Sequence, residues 1–427
     1  YVRGVSTKTV TYYAKPSRAL IRIPITSIEA VRVDAVLKGP DGKPRPFVFR
    51  KAGPADGTTA AEILFVEHMG GSEQKDFQLD FSNGPGTSAP IESPVSIGKN
   101  TLSNEFMELR FDVNWHPVGL TLSGTEFAAD GFLRSAVNYS GRLAEADHWT
   151  VVEKAVLGDG LIALLRTKSE IPVSDSGNKR VEVEREFMLV AGLPYVYVDT
   201  QITYPETHSE RYNKERARRL EQAYDGNWRE VMPCEIRPAL LGKAGWYLRV
   251  WKHNYLGHMS CYDLDYAEFS KNKQLDAFNN HITHAWVAVT DRDKGVLVGQ
   301  TADVNACFAF CPMRTRTTSE GQRILLNPFG SYHGSQLHYV TAFSGLGKRI
   351  SLQMADQLDP YAPSYNGRSE RCRLLIAPYV GDEPPEELRN DAEAFAYPHA
   401  VVSGSKFVDT PPHRRWSAPR VQMRQER

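Results

Sequence analysis

The chain has 427 residues, enough for two or three cores of ordinary domain size. A hydrophobic share of 41% and a charged share of 24% exclude a disordered chain. Lys plus Arg and Asp plus Glu stand at 51 each, so no net field selects nucleic acid or an anionic membrane, and a neutral partner fits better. Residues Ala19–Thr26 and Ala30–Leu37 alternate apolar and polar side chains and predict half-buried strands, with a turn at Gly39-Pro40-Asp41-Gly42. The stretch Asn83–Pro94, rich in Gly, Pro and Ser, reads as a linker, and a small β-domain is expected over residues 1–97.

A larger β-domain is expected over residues 98–400. Phe106–Val113 alternates, Gly119–Leu122 follows, and Trp149–Leu157 and Leu161–Thr167 flank a Gly158-Asp159-Gly160 turn. Arg180–Leu189 is a long strand of period two, and Ala191-Gly192-Leu193-Pro194 turns the chain into Tyr195–Val198 and Gln201–Tyr204. His208–Tyr224, rich in Glu, Arg, Gln and Ala, predicts a short helix or a polar excursion. Strands resume at Trp246–Trp251, His284–Thr290, Gly295–Gln300, Tyr339–Phe343 and Arg371–Pro378, and Pro385–Ala396 predicts a helix with proline at its start. Residues 401–427, with prolines and many arginines from Thr410, predict an extended tail. The fold class expected is all-β, mostly antiparallel.

The first residue is Tyr1 and no charged-then-apolar leader precedes the strands, so a targeting segment is expected to have been removed or not included. No apolar run approaches the ~18 residues of a membrane helix. Of five cysteines, only Cys307 and Cys311 share a close spacing, CxxxC, and they lack a second pair. His281 and His284 are three apart and likewise lack a third ligand nearby, so no metal is expected in this chain. Asn138-Tyr139-Ser140 is a glycosylation sequon.

The GxSxG, GxxxxGK[ST], HExxH and GxGxxG patterns are all absent, so any chemistry must come from dispersed residues or from a part not present here. Trp246–Trp286 is dense in Trp, Tyr, His and Asp, a combination that suits a neutral polyhydroxylated ligand as readily as it suits sheet packing. Asp263 and Asp265 would share a face of one strand, as paired carboxylates for glycoside hydrolysis or as a solvated edge. Asn327–Gly334 is a glycine-framed loop in which Tyr332 and His333 are the candidate acid and base. The substrate-binding candidates are Asp265, Tyr266, His281, His284, Trp286 and Asn327, converging on one rim.

Several segments, in order, resemble the C-terminal β-sandwich region of family 38 α-mannosidases. They are Thr101–Asp112 (TLSNEFMELRFD), Phe187–Tyr204 (FMLVAGLPYVYVDTQITY), Cys261–Glu268 (CYDLDYAE), His284–Gln300 (HAWVAVTDRDKGVLVGQ) and Ala392–His399 (AEAFAYPH). The resemblance implies a small β-domain followed by a supersandwich of the galactose-mutarotase-like type. It implies a nucleophile and a zinc ion in an N-terminal catalytic domain that nothing here resembles. Tyr266-Ala267 stands where the family has Tyr-Gly, and His284-Ala285-Trp286 where it has His-Arg-Trp. The expected function is therefore the β-portion or subunit of a glycoside hydrolase acting on glycans. Its partners would be a glycan and a separate catalytic domain or chain, or a second copy of the chain. The alternatives are a non-catalytic carbohydrate-binding or scaffold protein of the same fold, and a Tyr/His polysaccharide lyase.

Overall fold

The computed structural model describes residues 5–11, 15–25, 35–51, 61–71, 73–80, 89–129, 131–139, 142–172, 180–203, 231–236, 247–253, 259–265, 280–281, 285–301, 313–318, 321–326, 369–396 and 400–403. Strands dominate, and every strand pair among these residues is antiparallel.

The N-terminal part forms β1 (Val5–Thr11), β2 (Ser17–Ile25), β3 (Val36–Lys38), β4 (Val48–Lys51), β5 (Ala61–Met69) and β6 (Gln74–Asp80). They make two sheets, β1-β6-β3 and β2-β5-β4, around a core that includes Ile21, Ile23, Leu37, Ile63, Phe65, Phe77 and Leu79. Strand β5 is apolar on both faces: Ile63 and Phe65 belong to this core, while Leu64 points into the larger one. A strand covered on both sides loses the clean alternation of a half-buried strand.

Next come β7 (Ser96–Ile97), β8 (Thr101–Ser103), β9 (Met107–Phe111), β10 (Pro117–Leu122) and β11 (Thr125–Glu126), a five-stranded meander. In β9, Met107, Leu109 and Phe111 are buried and the residues between them are not, as the alternation predicts. Then follow β12 (Arg134–Tyr139), β13 (Arg142–Glu145), β14 (Thr150–Leu157), β15 (Ile162–Pro172), β16 (Arg180–Val190), β17 (Val196–Thr203) and β18 (Val231–Ile236). The chain continues through β19 (Tyr247–His253), β20 (Met259–Asp265), β21 (Asn280–His281), β22 (Trp286–Thr290), β23 (Lys294–Gln300), β24 (Met313–Thr318), β25 (Gly321–Leu326) and β26 (Ser369–Val380). It ends in the helix α1 (Glu386–Ala396) and β27 (Ala400–Ser403).

The centre is a nine-stranded sheet, β14-β15-β16-β17-β26-β23-β22-β19-β20, accompanied by a six-stranded sheet, β13-β12-β18-β25-β24-β21. One face of the large sheet packs into the main core, where Phe187 meets Phe111 edge-on at 5.2 Å. The opposite face takes α1 and the β2-β5-β4 sheet. Strands β22 and β23 are buried along nearly their whole length because both faces are covered.

A charged rung crosses that second face. Glu153, Arg166, Glu186, Asp199 and Arg373 are successive cross-strand partners on β14, β15, β16, β17 and β26. Arg50 from β4 bonds both Glu62 and Glu186, the latter at 2.7 Å, and Arg22 lies 3.6 Å from Glu62. Arg373 Nε lies 3.3 Å from Asp199. Burial alone would raise the Glu62 carboxyl, but Arg22 and Arg50 outweigh it and hold the group below its ordinary range. Three arginines and three carboxylates thus fix how the N-terminal sheets sit on the large one, since an unpaired charge here would be costly.

The helix expected at 385–396 is α1. The element expected at 208–224 and the strand at 339–343 lie outside the described residues. The tail expected from residue 401 differs at its start: Ala400–Ser403 pairs with β1 and completes a four-stranded sheet, β27-β1-β6-β3. Val401 and Val402 are β-branched and suit a strand, a local signal outweighed in the sequence by the Pro- and Arg-rich composition that follows.

Candidate functional site

A second group of polar side chains on the large sheet lies around the β22–β23 hairpin. Asp291 N donates to Lys294 O at 3.0 Å, which closes a two-residue loop of Arg292 and Asp293. Arg292 has φ 85, in the left-handed region that favours glycine, so it is held in a strained conformation. The buried Asp291 carboxylate enforces it, accepting from Asp293 N at 3.2 Å and Lys294 N at 3.1 Å.

The hairpin is tied to the segment leaving β26. Thr290 Oγ1 lies 3.0 Å from Lys294 O and 3.1 Å from Gly381 O, and its one proton is shared between these carbonyls. Gly381, at φ 115, donates its N–H to Asp293 O at 2.7 Å. Asp382 then reaches β19: its carboxylate bonds Arg249, and its carbonyl accepts from Trp251 Nε1 at 3.0 Å. The Arg249 guanidinium lies 5.8 Å from the Trp251 ring centroid. Beneath them the Tyr379 ring covers Gly295, its cross-strand partner. Burial raises the Tyr379 phenol far above its ordinary value, so it stays protonated and acts as packing. The arrangement offers an arginine–carboxylate pair against an aromatic wall, which suits hydrogen bonding to a polar neutral ligand.

The register decides which predicted residues meet here. Asp263 is the partner of Arg249 and Asp265 of Tyr247, on the edge strand β20, so both belong to this end. Trp286 does not. Arg249 pairs with Thr290, which places Tyr247 and Asp265 level with residue 292, while Trp286 lies six positions back along β22. At the rise of an extended strand that is about 20 Å. His281 lies on β21, the edge of the six-stranded sheet. The register therefore separates Asp265 from Trp286. Trp286 is 1% exposed, directly across from Gly299, with the His253 ring 6.2 Å away, and it belongs to the core. Its place in a fully covered strand is the physical reason. Tyr266, His284, Asn327, Tyr332, His333, Cys307 and Cys311 lie outside the described residues.

Arg249, Arg292 and Asp382 were not singled out from the sequence. Thr290–Gly295 carries a visible hairpin signal, two Asp and a Gly between apolar runs, but nothing local announces that Asp382 returns to it from 90 residues away.

Among the described residues no group of three His, Cys, Asp or Glu is arranged to hold a metal. Among the same residues no helix is long and apolar enough to cross a membrane.

No family model matches the sequence, and no curated protein matches it. Solved structures do match. A protein of glycosyl hydrolase family 38 from Enterococcus faecalis superposes with a TM-score of 0.52 at 11% identity, over 95% of this chain and 48% of that one. An α-mannosidase from Enterococcus faecalis gives a TM-score of 0.52 at 11% identity, over 93% of this chain and 46% of that one. At this identity the likeness is one of fold, and the chain spans about half the length of the structures it matches.

Proposed function

We propose that this chain is the β-region of a family 38-like glycoside hydrolase, acting on glycans together with a catalytic part that carries the nucleophile and the zinc ion. The observation that carries this reading is the fold likeness, which takes in almost all of this chain and only half of each matched protein. The ordered sequence landmarks, from Thr101–Asp112 to Ala392–His399, support it independently.

Within this reading the glycan-facing surface is the hairpin end of the large sheet, where Asp265 on the edge strand β20 lies level with the Arg292 turn, near Arg249 and Asp382. The support for this surface is the strained Arg292 and the bonds that hold Asp382 to β19.

The test is an assay with an aryl α-mannoside. The chain purified alone is expected to be inert, and activity is expected in the native material that co-purifies with it. Turnover by the lone chain would place the chemistry inside it. Native material containing the chain but devoid of hydrolase activity, with glycan binding retained, would favour a carbohydrate-binding scaffold.

A further inference from the structure

We propose that α1 is an acid-tightened clasp, fastening the C-terminal helix to the N-terminal sheets and to the large sheet more firmly in mildly acidic than in neutral solution. The helix is wedged between β2 and strands β22, β23 and β26, and its buried face carries two acids, Asp391 and Glu393, where a helix ordinarily presents aliphatic residues. Asp391 is 2% exposed. Its Oδ1 accepts from Arg18 N at 2.7 Å, while its Oδ2 is buried without a hydrogen-bond partner. The nearest cation, Arg18 Nη2, is 3.6 Å from that oxygen and is shared with Glu387 at 3.8 Å. Glu393, 9% exposed, has His253 Nε2 at 3.5 Å and Lys15 Nζ at 3.7 Å, and Lys15 is itself half exposed.

The charged and titratable groups around Asp391 are therefore few. Lys15 and Arg18 face it from the start of β2. Glu387 and Glu393 share its helix, with Arg389 on the outer side. Tyr195 and Tyr197 approach from β17, and His253 from β19. The buried Asp391 and Glu393 meet only partly exposed cations, so proton uptake at Asp391 improves the balance. A neutral Asp391 removes a buried charge that lacks a donor on one oxygen.

Burial pushes Asp391 up to about 6, with Glu387 adding to the rise and Arg18 opposing it, and burial raises Glu393 as well. A carboxyl raised in the folded state contributes stability that is complete below its ordinary value of 3.8 and is lost as pH climbs through about 6. The shift corresponds to about a 100-fold change in the folding equilibrium between those limits. Because α1 leads into β27, which pairs with β1, the clasp also governs the edge of the small sheet.

The experiment compares melting temperatures of the wild type and Asp391→Asn from pH 4.5 to 8. The amide reproduces the neutral carboxyl, so the variant is expected to melt several degrees above the wild type at pH 7.5, with the gap narrowing steadily as pH falls to 4.5. A constant gap across pH, or a variant less stable than the wild type at pH 7.5, overturns the proposal. Hydrogen exchange on the wild type needs no variant. After correction for intrinsic rates, protection of α1 amides is expected to rise from pH 7.5 to 5.5, and unchanged protection overturns the clasp.

Discussion

Trp286→Ala separates packing from binding at a residue where the sequence allowed both. The indole is 1% exposed in a strand covered on both faces. Burying a tryptophan removes about 200 Å² from water, which at about 25 cal/mol/Å² is about 5 kcal/mol. Core Trp→Ala changes cost about 3–5 kcal/mol, in agreement. Relaxation around the site has little scope, because Gly299 opposite has no side chain to move and its surroundings are already close, with Ala392 Cβ 3.4 Å from where its own Cβ would stand. The assay is urea unfolding of both proteins, read as the midpoint shift at unchanged slope, with glycan affinity measured on the folded fraction. The expected result is a loss of at least about 3 kcal/mol with affinity unchanged. A loss under about 1 kcal/mol, or weakened binding at near-normal stability, would refute the placement of Trp286 in the core.

Other expectations follow from particular contacts. Arg292→Gly should raise stability by about 1 kcal/mol, because glycine accepts the positive φ without strain, and calorimetry checks it. Gly295→Ala should cost about 1–3 kcal/mol, since its new methyl would meet the Tyr379 ring and stand 2.7 Å from the fixed Val289 carbonyl; equilibrium unfolding reads the loss. Arg50→Met should cost about 2 kcal/mol by stripping a partner from both Glu62 and Glu186, a figure reduced for partial exposure. Glu62, held below its ordinary value of 4.5, contributes stability above that pH that is lost as pH falls through its folded value. Glu62→Gln should therefore flatten the acid limb of a stability profile measured below pH 4.5.

The strands of the large sheet were legible because most show period two or a short apolar run between turn residues, as in Arg180–Leu189 and Gly295–Gln300. The α1 helix was legible from Pro385 and the composition after it. The candidate site was less so, for a reason of register. Asp265 and Trp286 are close only in sequence, and antiparallel pairing sends the two to opposite ends of the sheet. The Arg249–Asp382 bond joins residues 133 apart and has no local signature. The burial of Asp391 and Glu393 has no local signature, because α1 is covered by β2 from the far end of the chain.

The central claim is that this β-region works as part of a longer hydrolase. Intact-mass spectrometry of the native protein, captured through this sequence and assayed on an aryl α-mannoside, tests it most directly. The account predicts an active species in which these 427 residues are covalently joined to, or stably bound by, a comparably large catalytic portion. A native species consisting of the 427-residue chain alone, without hydrolase activity, would contradict it.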